Sequence, residues 1–220
     1  MFTRIHRRSA RYEMDMTTGP LLPKVLAFSG PLILTGILQL LYNAADIVVV
    51  GRFAGPQALA AVGSTGALIN LLVNVFMGLS VGASVVVARA YGAGDNRSVS
   101  TGVHTAITVA GVAGVLVGVL GFVASHPLLK WMGSPDDVLD MATLYMKIFF
   151  VGMPANMLYN FGAAILRAVG DTRRPLYYLT VSGILNVLLN LVLVIGFHLG
   201  VAGVALPTLL ARVQGCIALT

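Results

Sequence analysis

The chain has 220 residues, of which 57% are hydrophobic and 10% are charged, whereas soluble domains carry about 25% charged residues. This composition excludes a soluble globular domain and predicts an all-α polytopic membrane protein. The net charge of +6 does not indicate nucleic-acid binding, because the basic residues lie in short segments beside apolar runs. The single cysteine, Cys216, excludes an internal disulfide and a cysteine-based metal site.

Six apolar segments follow a polar N-terminal tail, and each is near or above the roughly 20 residues that cross a bilayer. The tail, residues 1–23, is rich in arginine. The apolar run after it is too long for a cleaved signal peptide, so we predict a cytoplasmic tail. The predicted spans lie near 25–50, 57–87, 103–124, 143–166, 176–196 and 201–220.

Loop charge predicts the orientation of these spans. Most arginines lie in the tail and in the second and fourth loops, whereas the first, third and fifth loops carry only Arg52 and Lys130. Basic loops stay on the cytoplasmic side. We therefore expect a multi-pass protein of the cell membrane with its N-terminus in the cytoplasm.

The first span carries an acid, Asp46, six residues before its outer end at Arg52. A carboxylate inside a spanning helix costs roughly 2.5 to 3.5 kcal/mol on insertion scales, so such an acid usually has a function. The polar residues on the same helical stripe are Thr35, Gln39, Tyr42 and Asn43. Pro31 lacks a backbone N–H, so we expect the helix to bend there.

Asparagines recur in pairs one helical turn apart in later spans. The pairs are Asn70/Asn74, Asn156/Asn160 and Asn186/Asn190, in the second, fourth and fifth spans. Packing between helices and ligand binding are the competing interpretations of such pairs. The second span also has Gly78 and Gly82 at the small-xxx-small spacing that allows close helix approach.

Residue counts along the helices place Asp46, Asn190 and Thr208 at one depth in the outer half of the bilayer, with Asn186 one turn deeper. Their oxygens are hard ligands, which suit Na⁺ or a shared proton. The alternatives are a structural anchor for Asp46 and a hydrogen bond from Thr208 to its own helix. Arg212 lies eleven residues past Val201 and either pairs with a polar group in the cavity or extends toward the inner surface.

Four stretches together resemble the multidrug and toxic compound extrusion (MATE) transporters, over residues 14–220. They are GPLILTGILQLLYNAADIVVVGRFAG, ALAAVGSTGALINLLVNVFMGLSVGASVVVARAYGAGD, ILRAVGDTRRP and NVLLNLVLVIGFHLGVAGVALPT. The resemblance implies a twelve-helix fold with two six-helix lobes around a central cavity. Residues 24–220 resemble the N-terminal lobe alone.

The resemblance also implies roles for individual residues. Pro31 corresponds to a proline linked to bending of the first helix, and the other matched positions are Tyr42, Asp46, Asn186, Asn190 and Thr208. Either Asn160 or Asn156 corresponds to an asparagine of the fourth helix. Several members of the family carry an aspartate where this chain has Asn190. This chain therefore has one carboxylate at the site, and the resemblance does not decide between H⁺ and Na⁺ as the coupling ion.

The function implied is a secondary active antiporter that exports organic, often cationic, compounds in exchange for H⁺ or Na⁺ by alternating access. The expected cation site comprises Asp46, Asn186, Asn190 and Thr208, and Na⁺ at Asp46 is the only metal ion expected. The expected substrate cavity comprises Gln39, Tyr42, Asn43, Asn156 and Asn160. No cofactor is expected. The expected partners are the bilayer, organic substrates and a second six-helix lobe, either a missing C-terminal half or a second copy.

Two other functions remain as alternatives. One is a flippase for lipid or polysaccharide precursors, although a pyrophosphate would call for several basic residues and only Arg212 is suitably placed. The other is a truncated lobe that does not transport. An enzyme is not expected, because a lone acid without a nearby base or metal cluster offers no acid–base pair.

Overall fold

The computed structural model describes residues 21–197 and 199–219, which form helices and their connections without a strand. The predicted tail therefore lies outside the described residues up to position 20, as does the side chain of Cys216. The helices are α1 (Leu21–Val49), α2 (Pro56–Gly92), α3 (Asn96–Trp131), α4 (Leu139–Val151), α5 (Met153–Ala168), α6 (Arg173–Leu191) and α7 (Ala202–Leu219). Short π-helical segments extend α1 (Val50–Ala54) and α6 (Val192–Gly196).

Four helical stretches of the described chain are long and apolar enough to cross a membrane. They are Leu22–Ala54, Pro56–Gly92, Asn96–Trp131 and Arg173–Gly196. The prediction of an all-helical protein with several apolar spans is confirmed. Helix α7 covers the position of the sixth predicted span, and its crossing of the membrane stays a prediction.

The fourth predicted span is not one straight helix. Helices α4 and α5 meet at Gly152 with a bend of 50°, and together they would make a fifth, broken span. Pro154 explains why a new helix begins after Gly152. It lies in the first turn of α5, where a missing backbone N–H breaks no helical hydrogen bond. Hydropathy alone did not reveal this break, because both halves are apolar.

Helix α3 uses its small residues to approach the α4–α5 break. A Cβ atom added at Gly114 would lie 2.7 Å from Cα of Pro154, and one added at Gly118 would lie 2.8 Å from the carbonyl oxygen of Phe150. The spacing at Gly78 and Gly82 allows such an approach, but within the described part of the chain an added Cβ at either position would meet nothing within 4 Å. The spacing of small residues therefore does not identify which helix makes the close contact.

Asp95 is an exposed residue that caps the N-terminus of α3. Its carboxylate accepts hydrogen bonds from the backbone N–H groups of Arg97 and Ser98 and from the Ser98 hydroxyl. The hydrogen bonds from Ser98 hold the pKa of the Asp95 carboxyl below its usual value. The cap thereby satisfies backbone donors that the first turn of α3 would leave without partners.

Helix α1 is attached to the bundle mainly through α6, and α6 packs in turn against α7. Large apolar side chains of α1, such as Ile33 and Leu40, are exposed, whereas Tyr42 and Asp46 of its polar stripe are half-buried. The C-terminal end of α1 is buried, because Val49 belongs to the core cluster that α3 and α4 also form. Helix α1 therefore lies at the edge of the bundle along most of its length and is anchored in the core just after Asp46.

Candidate cation and substrate site

The acid of α1 contacts an amide of α6. The Nδ2 atom of Asn190 donates a hydrogen bond to Oδ1 of Asp46 at 2.5 Å, across 144 positions of sequence. Asn190 is fully buried, and Asp46 is half-buried. The structure thus brings together two residues for which the residue counts along the helices predicted the same depth in the bilayer.

Asn186 joins the same acid to α7. One end of its amide lies 2.9 Å from Oδ1 of Asp46, and the other lies 3.1 Å from the backbone N and 3.3 Å from Oγ1 of Thr208. A carboxylate accepts and a backbone N–H donates, so the amide nitrogen faces Asp46 and its oxygen faces Thr208. Thr208 also donates from Oγ1 to the carbonyl oxygen of Val204 at 3.1 Å, the bond to its own helix that the sequence left open.

The oxygens in this cluster are not all satisfied by protein donors. The Oδ1 atom of Asn190 is buried and has no hydrogen-bond partner in the structure, although it belongs to the amide that touches Asp46. A buried acceptor beside a carboxylate fits the ligand chemistry of an alkali cation. Over the same described residues, no group of three or more His, Cys, Asp or Glu side chains could hold a metal ion.

An open cavity lies next to the cluster, and water-sized molecules could occupy about 230 Å³ of it. Its polar lining residues are Gln39, Tyr42, Asn43, Asp46, Asn70, Tyr159, Asn160, Ser182, Asn186, Thr208 and Arg212. They come from helices α1, α2, α5, α6 and α7. The polar residues predicted on one stripe of α1 therefore line this cavity, with the exception of Thr35. The Oγ1 atom of Thr35 donates to the carbonyl oxygen of Pro31 at 2.7 Å.

Tyr42 fixes α1 to α6 beside the cavity. Its hydroxyl donates to the carbonyl oxygen of Thr180 at 3.3 Å, and its ring occupies the space that a side chain at position 183 would need. Gly183 is therefore required for this contact. Gln39 and Asn43 are exposed on the same stripe and face the cavity without such an anchor.

The two asparagines expected from the fourth span occupy different places. Asn160 lines the cavity, and its Nδ2 donates to the carbonyl oxygen of Asn156 at 2.8 Å and to Oδ1 of Asn156 at 2.9 Å. Asn156 is only 2% exposed and lies behind the lining. Its Oδ1 also accepts a hydrogen bond from Nη1 of Arg212. Asn156 thus holds two cavity residues in place and does not line the cavity itself.

The family model MatE matches residues 31–192, which is most of the chain and includes Asp46 and both asparagines of α6. This chain belongs to the MatE family.

Among curated relatives, this MATE chain is 33% identical over 190 residues to the probable multidrug resistance protein YoeA of Bacillus subtilis, covering 84% of this chain and 41% of YoeA. It is 26% identical to the probable multidrug resistance protein YpnP of the same organism, covering 90% of this chain and 44% of YpnP. A crystal structure of MATE in the bent conformation superposes with a TM-score of 0.83 at 28% identity, covering 89% of this chain and 44% of that one. The chain therefore spans less than half the length of these relatives.

Sequence reasoning missed several features of this MATE site. Ser182 lines the cavity four residues before Asn186, so helical periodicity along α6 could have found it. One π-helical segment begins four residues after Asp46, and the other begins two residues after Asn190. The amino-acid composition of these segments did not indicate a π-helix. π-helical turns are frequent at functional sites. The contact between Arg212 and Asn156 could not have been found, since it depends on how α5 and α7 are rotated.

Proposed function

We propose that this MATE chain forms the cation-coupled lobe of an antiporter that exports organic compounds in exchange for H⁺ or Na⁺. The observation that supports this most is the contact of Asp46 with the amides of Asn190 and Asn186 across the α1–α6 interface. The names of the relatives YoeA and YpnP, both probable multidrug resistance proteins, support the substrate class. The relatives are transporters, which fits the expectation that the chain is not an enzyme.

The proposed coupling begins with the charge on Asp46. When the acid is ionised, both amides can present N–H groups to Oδ1, as they do here. A bound Na⁺ instead needs oxygens, which the amides of Asn186 and Asn190 and the hydroxyl of Thr208 can offer after rotation. A proton also removes the negative charge that the N–H groups face. Occupancy of Asp46 therefore changes which groups hold α1 against α6.

Movement of α1 is the proposed consequence. Pro31 leaves the carbonyl of Ala27 without its helical hydrogen bond, so bending at this point breaks no further bond. Coupling requires only that the cation and the substrate prefer different conformations. When the exported substrate has no net charge, one cation moving inward through 100 mV supplies about 2.3 kcal/mol, enough for roughly 50-fold accumulation of substrate outside.

A second lobe completes the proposed carrier. The cavity is open on one side, and the chain spans 41% to 44% of the relatives named above. We propose a second six-helix lobe on the open side, supplied by a C-terminal half or by a second copy, with the N-terminus in the cytoplasm of a cell-membrane protein. A flippase for pyrophosphate-linked precursors is not favoured, because Arg212 is the single basic residue that lines the cavity among the described residues.

The test removes the charge on Asp46 and leaves its size unchanged. We expect Asp46→Asn to abolish export of a cationic dye from drug-sensitive cells, while the protein still inserts into the membrane. The matched control is Asp137→Asn, which removes an exposed acid in the connection before α4 and should leave export unchanged. Retained export in the Asp46 variant would rule out its coupling role. Absence of export by the wild-type chain expressed alone would count against a second copy as the partner lobe and would leave a C-terminal half or a non-transporting lobe.

A further inference from the structure

Among the described residues, Arg212 is the one cation that lines the cavity, and the coupling scheme above does not use it. The charged residues among those that line the cavity are Asp46 and Arg212. No carboxylate lies within ion-pair distance of Arg212 anywhere in the described ranges. Its guanidinium carries a full charge at any physiological pH, so this charge is a permanent property of the cavity.

The guanidinium is held in the cavity wall by a buried side chain. Its Nη1 donates to Oδ1 of Asn156, a side chain that is only 2% exposed. The same Oδ1 accepts a hydrogen bond from Asn160 at 2.9 Å, so the acceptor is itself fixed. The two interpretations that the sequence left open for Arg212 are thus resolved in favour of pairing within the cavity.

The hydrogen bonding of Arg212 is incomplete. Asn156 is a neutral acceptor, so it satisfies one N–H group and no charge. The Nε atom is buried and has no hydrogen-bond partner in the structure. Protein encloses Nε, so a ligand cannot reach that atom, but Arg212 lines the cavity, where an anion would offset the cost of its partly buried charge. A carboxylate offers the two acceptor oxygens that a guanidinium pairs with best.

Charge balance narrows the class of ligand further. With Asp46 ionised, the charges of the cavity lining sum to zero. A purely cationic ligand would pair with Asp46 and leave Arg212 unmatched, and a purely anionic ligand would do the reverse. A zwitterion matches both charges at once. One guanidinium suits a single carboxylate, whereas a diphosphate would require more positive charge.

We propose that Arg212 is the residue that recognises a substrate carboxylate, and that the transported compounds are zwitterionic organic molecules whose cationic group competes with the coupling ion at Asp46. This inference rests on the proposed function and specifies the substrate class of its cavity. Arg212 then acts as a specificity-determining residue, and Asn156 acts as a positioning residue that orients the guanidinium.

The test uses two dyes that differ at a single carboxyl group. Rhodamine 110 has a free carboxylate, and rhodamine 123 is its methyl ester. Binding to the full chain in lipid nanodiscs is measured by fluorescence anisotropy, with binding to protein-free nanodiscs subtracted. We expect the wild-type chain to bind rhodamine 110 at least about tenfold more tightly, the effect of a hydrogen bond to a charged group.

Variants then assign this preference to one side chain. Arg212→Gln should weaken binding of rhodamine 110 at least about tenfold and leave rhodamine 123 unchanged or bound more tightly, while Arg212→Lys should keep part of the preference. The control, Arg89→Gln, removes an exposed guanidinium from the last turn of α2 and should change neither affinity.

Equal wild-type affinities for the two dyes would overturn the inference, even if Arg212→Gln fails to fold. A preference that survives in a folded Arg212→Gln variant would also overturn it. Failure of the chain to bind either dye would count against the proposed drug-binding cavity itself, and the inference would fall with it. Binding of both dyes without a preference would leave the proposed function standing and reject only the role of Arg212.

Discussion

At the scale of single residues, Asn190 determines what the acid of α1 contacts. An amide can donate to an ionised carboxylate, which a second carboxylate in its place could not do. Asn190 is fully buried and lies 2.5 Å from Oδ1 of Asp46. It therefore stabilises the ionised acid, which is the form that the proposed mechanism requires when substrate is bound.

Truncation of this amide should weaken substrate binding. Asn190→Ala removes a hydrogen bond to a charged group, worth roughly 1.5 to 3 kcal/mol, so we expect dye affinity to fall at least about tenfold. The measurement is the same anisotropy titration of the folded chain. The control is Asn74→Ala, because Asn74 is exposed and donates to its own helix, at the carbonyl oxygen of Asn70. Equal losses in both variants would contradict the specific role of Asn190.

Much of the residue-scale site followed from sequence. Helical periodicity and the count of residues from the outer loops were enough to associate Asp46 with Asn190. They placed Thr208 level with Asp46, whereas the structure connects the two through Asn186. The contact between Arg212 and Asn156 needs the rotation of each helix about its axis, which a single sequence does not supply. The roles of these residues in cation and substrate binding stay predictions.

At the scale of elements, direct backbone contact between α3 and the α4–α5 break holds the bundle together behind the site. The buried small residues of α3 that form this surface are Ala106, Ala110, Gly114, Gly118, Gly121 and Ser125. Sequence patterns predicted the apolar helices, but the one spacing noted as allowing close approach lies in α2, not in α3. Hydropathy records how apolar a segment is, and it does not record which face of the segment meets a neighbour.

Two glycines of α3 allow a matched test of this contact. Gly114→Ala would place a Cβ atom 2.7 Å from Cα of Pro154, so we expect a destabilisation of about 1 to 3 kcal/mol. Gly111→Ala would meet only the Leu158 side chain at 4.0 Å and should stabilise the helix by up to about 1 kcal/mol. The measurement is thermal unfolding of the purified chain. Equal shifts in the same direction would contradict the packing described for α3.

At the scale of the whole molecule, the site lies where α1 changes from an exposed helix to a buried one. Helix α1 packs mainly on α6, and its end at Val49 and the following Val50 join the buried core. This arrangement suits a carrier in which the exposed N-terminal part of α1 moves about an end that is anchored in the core. We propose that a second lobe covers the open side of the cavity, because the chain spans less than half the length of its MATE relatives.

The central claim is that a coupling cation and the substrate compete at Asp46. The most direct test measures the H⁺ or Na⁺ released when the purified chain is saturated with rhodamine 110, using a pH-sensitive dye in weak buffer and a sodium-selective electrode. The account predicts release of about one cation per substrate bound by the wild-type chain, and none by Asp46→Asn. Substrate binding without cation release in the wild-type chain, or undiminished release in the variant, would contradict it.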